Sequence, residues 1–418
     1  MTTREAAEPY EYPRLRPVEA FPAVVSGQEV LCLRDPQQYC ESVVYVPAQT
    51  ASILGLFDGE HSLLDIQAVF VRQFGSLLFR EQLLQIIQSL DEHLLLDSPR
   101  FADHRAGVEE GFLHAKSRPA LLAGKSYPSE ADALRRQLDS YLTDPDGPGD
   151  TPASPDAASL VGLVVPHIDF ARGGPCYAWG YRELEGAPPP DRFLILGTVH
   201  APITRAFTLT RKDFETPLGA VETDLEFVDR LLTVAGNGYL EDELAHRAEH
   251  SIEFQGVFLR HRTSPGQPVR IVPVLCGSLQ GAVEGRRSPA EVKEIESFVT
   301  ALRETMAAVG GHTLIMASAD LAHAGPRFGD RRQITPGQLR EVADADREML
   351  GWVEAGDAEA FFHAVARDGD RRRICGLPPI YALLRLLPGA WGRVLSYSQW
   401  PDPQGTVTFA AVALYGRG

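Results

Sequence analysis

Over the first hundred residues, short β-like runs give way to helical spacing. Val30-Leu31-Cys32-Leu33 and Ser42-Val43-Val44-Tyr45-Val46 have the β-branched and aromatic content of strands. Thr50 to Phe57 reads as a helix that stops at the turn dipeptide Asp58-Gly59. Ser62 is placed as the N-cap of a second helix, whose apolar Ile66, Val69, Phe70 and Phe74 precede Gly75. A third helix, Phe79 to Glu92, spaces Leu83, Leu84, Ile86, Ile87 and Leu90 for burial and leads into Leu94-Leu95-Leu96. This ββααα order predicts a small α+β module of winged-helix type.

From residue 160 the pattern alternates. Leu160–Val165, Phe193–Leu196, Ala206–Thr210, Val269–Leu275, Thr313–Ala317 and Thr406–Leu414 are strand candidates. Leu225–Ala235, Ile252–Leu259, Pro289–Val309, Gly337–Glu354, Ala358–Arg367 and Pro379–Leu386 are helix candidates. Alternation of this kind predicts a layered α/β domain with a mostly parallel or mixed sheet. Composition alone sets a boundary in the Asp/Pro/Gly-rich stretch 143–155, which reads as a flexible loop extending to residue 158.

Four of the apolar runs end in residues that can bind metal. They are Val165-Pro166-His167, Leu196-Gly197-Thr198-Val199-His200, Ser318-Ala319-Asp320 with His323 three residues on, and Ile374-Cys375-Gly376. In open α/β sheets the ligand crevice lies beyond the carboxyl ends of the strands, so such residues tend to converge. Each has a plainer reading. A strand-end histidine is often a hydrogen-bonded structural residue, and Ser318 or Asp320 would serve as a helix cap. Asp320 and His323 share a face if a helix starts there. The Cys375 thiol would be lowered in pKa if it stood at a helix N-terminus, or it is a small buried hydrophobe. Cys276, which also ends a strand, is its rival.

His246, Glu249, His250 and Glu253 form a further dense cluster. It is not the zinc-protease motif, because the glutamate falls immediately before the second histidine, and a capping box from Ser251 would also account for it.

The net charge of −16 argues against a nucleic-acid backbone as partner. Arg331-Arg332 and Arg371-Arg372-Arg373 are read as solvated or paired faces. Five widely spaced cysteines do not form a disulfide framework. With no apolar leader at the amino terminus and no run of about 18 apolar residues, the expectation is a cytoplasmic protein with no membrane span.

Two resemblances extend this reading. Phe57-Asp58-Gly59-Glu60-His61-Ser62-Leu63-Leu64-Asp65-Ile66 resembles the PqqD-like, peptide-recognising family, which implies that residues 1–105 form a peptide- or partner-recognition module working by strand addition. Residues 117–418 resemble the Memo family, which includes protein B of the AmmeMemoRadiSam system. The matching segments are Leu122-Ala123-Gly124-Lys125-Ser126-Tyr127-Pro128, Val165-Pro166-His167-Ile168-Asp169-Phe170, Leu196-Gly197-Thr198-Val199-His200, Phe214-Glu215-Thr216-Pro217-Leu218-Gly219, Glu249-His250-Ser251-Ile252-Glu253, Ser318-Ala319-Asp320-Leu321-Ala322-His323 and Ile374-Cys375-Gly376.

The Memo resemblance moves the boundary to about 105–116 and implies a fold similar to the class III extradiol dioxygenases. It implies metal ligation by His167, His200 and Cys375, with Asp320 and His323 in the same pocket and His323 or His250 in proton transfer. The implied metal is iron or copper rather than zinc. The implied activity is that of a metal-dependent oxidoreductase acting with radical-SAM and AMMECR1-type partners. The alternatives are a non-catalytic adaptor that binds peptides in a dioxygenase-like cleft, and an extradiol ring-cleaving dioxygenase. The thiol stands where the related dioxygenases use a carboxylate, and Pro166-His167-Ile168-Asp169 and Gly197-Thr198-Val199-His200 depart from the common Pro-His-Ala-Gly and Gly-Pro-Ser-His.

Overall fold

The computed structural model describes residues 10–40, 42–264, 266–402 and 404–417. The chain falls into two compact units, Met1–His114 and Ala115–Gly418.

In the first unit, β1 (Glu19–Val25), β2 (Gln28–Arg34) and β3 (Val44–Pro47) form an antiparallel sheet in chain order. Ser26 and Gly27 both have positive φ, the two-residue turn that matches strand twist and joins β1 to β2. β1 does not stand out in the sequence because Pro22 interrupts its apolar residues. An edge strand tolerates that proline, since it needs hydrogen bonds on one side only. Helices α1 (Ala48–Leu54), α2 (Leu63–Phe74), α3 (Arg80–Glu92) and α4 (Pro99–His114) follow. Ser62 caps α2 in a reciprocal pair with Asp65, and Gly75 ends it in the left-handed conformation, as expected from the sequence. Leu33, Ile53, Phe57, Leu63, Ile66, Leu83, Ile87 and Leu95 form the core. Burying side chains of this size stabilises by roughly 1.5–3 kcal/mol each. The sequence gives little sign of α4, whose only buried side chains are Phe101 and Phe112.

The second unit begins with β4 (Ser117–Arg118), α5 (Ala131–Leu142), β5 (Leu160–Val165), α6 (Phe170–Arg182), β6 (Arg192–Thr198), β7 (Phe207–Leu209), β8 (Asp213–Phe214) and β9 (Glu222–Thr223). It continues through α7 (Leu225–Ala235), α8 (Ala245–Ala248), α9 (Ser251–Arg262), β10 (Arg270–Cys276), α10 (Gln280–Gly285), α11 (Lys293–Val309), β11 (Thr313–Ser318) and β12 (Asp320–Ala324). The last elements are α12 (Pro336–Ala355), α13 (Ala358–Ala366), α14 (Leu377–Leu386), β13 (Trp391–Trp400) and β14 (Thr406–Tyr415).

The main sheet runs β12-β14-β5-β11-β6-β10-β7. Its centre, β5-β11-β6-β10, is parallel, while β14 and β7 run antiparallel beside it. Successive side chains of a strand point to opposite faces, and here they feed two cores. Leu194, Leu196, Val272, Val274, Ile315 and Ala317 pack with α7, α11 and α14. Phe193, Ile195, Ile271, Leu275, Leu314 and Met316 pack with α5, α6 and α9. The expected mixed α/β architecture is thus present.

One local expectation changes. Asp320 and His323 lie on strand β12, paired with β14, and not on a helix. The Thr408 hydroxyl accepts the Ala322 N–H, which holds this segment in the sheet. The paired glycines Gly173 and Gly174 serve close packing within the chain. A Cβ at Gly173 would lie 2.4 Å from Ile168 and one at Gly174 2.5 Å from the Tyr141 ring. In the 143–158 stretch the Trp179 indole donates to Asp146 O and the Arg182 guanidinium to Gly149 O, so α6 anchors its turns. All five cysteines are free. Among the described residues, no helix is long and apolar enough to cross a membrane.

Candidate metal centre

β5, β11 and β6 leave the sheet at one level, because Ser318 stands opposite both Val165 and Gly197. His167, His200 and Asp320 follow these strand ends within a few residues and face one crevice, as a parallel sheet dictates.

His167 is buried, and its Nδ1 lies 3.0 Å from the Ser318 carbonyl. A carbonyl only accepts, so this nitrogen carries the proton and Nε2 keeps the lone pair. One carboxylate meets two more imidazoles at the same ring nitrogen, with a ring hydrogen bond to His200 and a close approach to His250. Glu249 Oε2 lies 3.0 Å from His200 Nδ1, and Oε1 lies 3.2 Å from His250 Nδ1. The same carboxylate accepts the backbone N–H groups of His200, His250 and Ser251 at 2.8–2.9 Å. Burial by itself would raise the Glu249 pKa. The adjoining His200 and His250 and these hydrogen bonds outweigh it and hold the carboxyl well below its usual range.

The His200 and His250 rings stack at 4.8 Å between centroids, and the His167 ring stands edge-on to both at 5.1 and 5.4 Å. One ligand atom from each of the three lies within 4.8 Å of the other two. Burial pushes His167 down to about 3, helped by its neighbour His200, and His250 down to about 4. Both are therefore neutral at physiological pH, the form that binds metal.

Cys375 Sγ lies 3.4 Å from His167 Nε2 and 3.7 Å from Asp320 O. Both partners accept, Nε2 as the lone-pair nitrogen and Asp320 as a carbonyl, so the single S–H is shared between them. The expectation that a helix N-terminus lowers the thiol pKa does not hold. Burial raises it well above the usual thiol value, and the Asp320 and Glu249 carboxylates add to the effect. The following glycine permits the approach, since a Cβ at Gly376 would lie 2.4 Å from Asp320 O.

Asp320 is buried and accepts the N–H groups of His167 and Ile168 at 2.9 and 3.1 Å, with Oδ2 at 3.7 Å from His167 Nε2. Burial raises its pKa. His323 directs Nδ1 at the Leu321 and Arg373 carbonyls, at 3.1 and 3.2 Å, and burial lowers its pKa. Three imidazoles and a thiol are donors that suit iron, copper or zinc. A cavity of about 260 Å³ adjoins the site, with His200, Cys276, Arg373 and Cys375 among its lining residues.

Other sequence candidates lie elsewhere or act differently. His246 is buried against the Thr208 carbonyl at 3.2 Å, and Cys276 is a core residue whose thiol burial pushes up. Ser251 forms no capping box; its hydroxyl donates to Thr198 O, and Glu249 accepts its N–H. Of the arginine triplet, Arg372 pairs with buried Asp346 and Arg373 with Asp330. The sequence reading missed the orienting part of Glu249. Its signal was an acid directly before a histidine at the start of a helix.

The Memo-like protein family matches residues 118–413, the span that holds all of these side chains. A MEMO1 family protein of Aquifex aeolicus is 26% identical over 388 residues, which is 92% of this chain and 95% of that protein. One of Thermus thermophilus is 30% identical over 340 residues, 80% of this chain and 93% of its own length. One of Methanopyrus kandleri is 30% identical over 311 residues, 72% and 99% respectively. The Aquifex alignment is longer than the second unit, so the similarity continues into the first. The chain belongs to the Memo-like protein family.

Proposed function

We propose that the second unit is a metal-dependent oxidoreductase holding iron or copper through His167, His200 and Cys375, with the His250 imidazole in reach as a further donor. The observation that carries this reading is the convergence of three imidazoles within 4.8 Å, next to a thiol that touches one of them. The likeness of the family to non-haem iron dioxygenases in fold favours iron or copper over zinc. Such an ion would supply one-electron exchange with dioxygen or a reductant.

The chain's own residues do the rest. Glu249 fixes the direction of the His200 ring and lies 3.2 Å from His250 Nδ1, and the Ser318 carbonyl fixes the His167 ring. Asp320 ties the His167 backbone to β12. His323, neutral through burial, offers a nitrogen that can take a proton. Ring-cleaving dioxygenase activity is the weaker form of this reading, because the thiol replaces a carboxylate.

A second reading concerns the first unit. Among the described residues, strand β1 pairs only with β2 and presents Val24, 70% exposed, and Val25 to solvent. That free edge supports a PqqD-like, winged-helix-type module that captures an extended peptide by adding a strand. The partners are then a peptide substrate or the radical-SAM and AMMECR1-type proteins of the same cytoplasmic system.

The test is oxygen uptake by the iron- or copper-loaded protein with a reductant, compared with the His167→Ala/His200→Ala variant. Metal-dependent uptake lost in the variant supports the oxidoreductase. Equal uptake in both overturns it, and tight peptide binding without any turnover supports the adaptor.

A further inference from the structure

We propose that Arg118 is a positioning residue for the metal centre, fixing the turn that carries Glu249 and His250. The inference rests on the reading of that centre given above. Arg118 closes strand β4, and its side chain is fully buried. Its Nε donates to the His246 carbonyl at 2.6 Å and a terminal nitrogen donates to the Glu249 carbonyl at 2.7 Å. The other terminal nitrogen donates to Pro119 O at 3.1 Å and pairs with Glu253 at 2.6 Å. Glu253 is itself buried and accepts the Leu122 N–H and the Tyr127 hydroxyl.

The two carbonyls frame the exit from α8, where Glu249 is extended (φ −73°, ψ 132°) before α9 begins. Carbonyl and carboxylate of Glu249 therefore face different partners: the carbonyl is held by Arg118, and the carboxylate orients the His200 ring and accepts the His250 backbone N–H, with His250 Nδ1 3.2 Å away. A planar guanidinium can bridge two carbonyls and a carboxylate at once, whereas an ammonium is a single point charge. Loss of the fork frees the turn, and with it the direction of both rings.

Arg118→Lys keeps a cation opposite Glu253 but cannot make the bridge. If it does not fold, Arg118→Met/Glu253→Gln removes the buried charges together and tests the same point. In the metal-free protein, the imidazole NMR resonances of His200 and His250 should shift while those of His312 and His363 stay. Affinity for Fe(II) or Cu(II) should fall about 10–100-fold, as when an orienting partner of a ligand is lost. In a His250→Ala background the further loss should be smaller. Unmoved His200 and His250 resonances in a folded variant overturn the inference, whether or not metal binds. A wild-type protein that binds neither ion while the resonances do shift overturns the metal reading and leaves Arg118 as the residue that sets the turn.

Discussion

Replacing Cys375 by Ser tests how the thiol takes part, and the structure sets the size of the effect. Cys375 Sγ lies 3.4 Å from His167 Nε2, the lone pair that a metal would take. Burial holds the thiol well above its usual pKa, so it is protonated throughout the neutral range. Binding as a thiolate must then release that proton, and affinity rises about tenfold per pH unit, roughly 1.4 kcal/mol. His167 and His250, at about 3 and about 4, are already neutral and add no such slope. Any proton released elsewhere is common to wild type and variant and cancels in their ratio. Competitive Fe(II) or Cu(II) titrations between about pH 6 and about pH 8 should show the ratio of wild-type to Cys375→Ser affinity growing about 100-fold. A ratio that stays constant across that range refutes thiolate ligation and leaves the three imidazoles as the donor set.

Three further outcomes are expected. His167, His246 and His250 are all lowered by burial, to about 3, about 3 and about 4, from an ordinary 6.5, so the unfolded chain binds more protons than the native one in between. The stability they contribute is full above about pH 6.5 and drains as pH falls, by roughly 1.4 kcal/mol per pH unit for each, partly offset by the raised carboxyls of Asp320 and Asp346. Urea unfolding of metal-free protein at about pH 7 and about pH 5 checks this, and equal stabilities would contradict it. Asp346→Ala leaves Arg372 without its carboxylate and the Tyr397 and Thr408 hydroxyls without their acceptor, and should cost about 3–5 kcal/mol in the same assay. Gly376→Ala drives a methyl against the Asp320 carbonyl and should cost about 1–3 kcal/mol in thermal unfolding, with loss of the Cys375 to His167 contact.

The sequence exposed most of what depends on period. β5 and α7 lie where their apolar spacing puts them, and the strand ends bearing His167 and His200 were legible because a central parallel strand is a short continuous apolar run. Elements with weak or misleading spacing were not. α6 carries Gly173, Gly174 and Pro175 because it packs tightly, and those residues hide a helix in the sequence. β12 looked like a helix start because Ser and Asp are good caps; pairing with β14 overrode that local preference. In the site, residue type pointed to His167, His200, Asp320 and Cys375, but not to the part that Glu249 plays. A carboxylate that orients the His200 ring and gathers three backbone N–H groups is defined by contacts between the end of β6 and the start of α9; the acid directly before a histidine hints at a role, but the partners are set by tertiary contacts. The raised thiol pKa of Cys375 was illegible for the same reason, since burial is a tertiary property.

Metal analysis of His167→Ala/His200→Ala against wild type, after anaerobic loading with Fe(II) or Cu(I) and removal of excess, bears most directly on the centre. Stoichiometric metal in the wild type and its loss in a variant that remains folded is the expected result. Full retention of metal by the variant would contradict the assignment of the site.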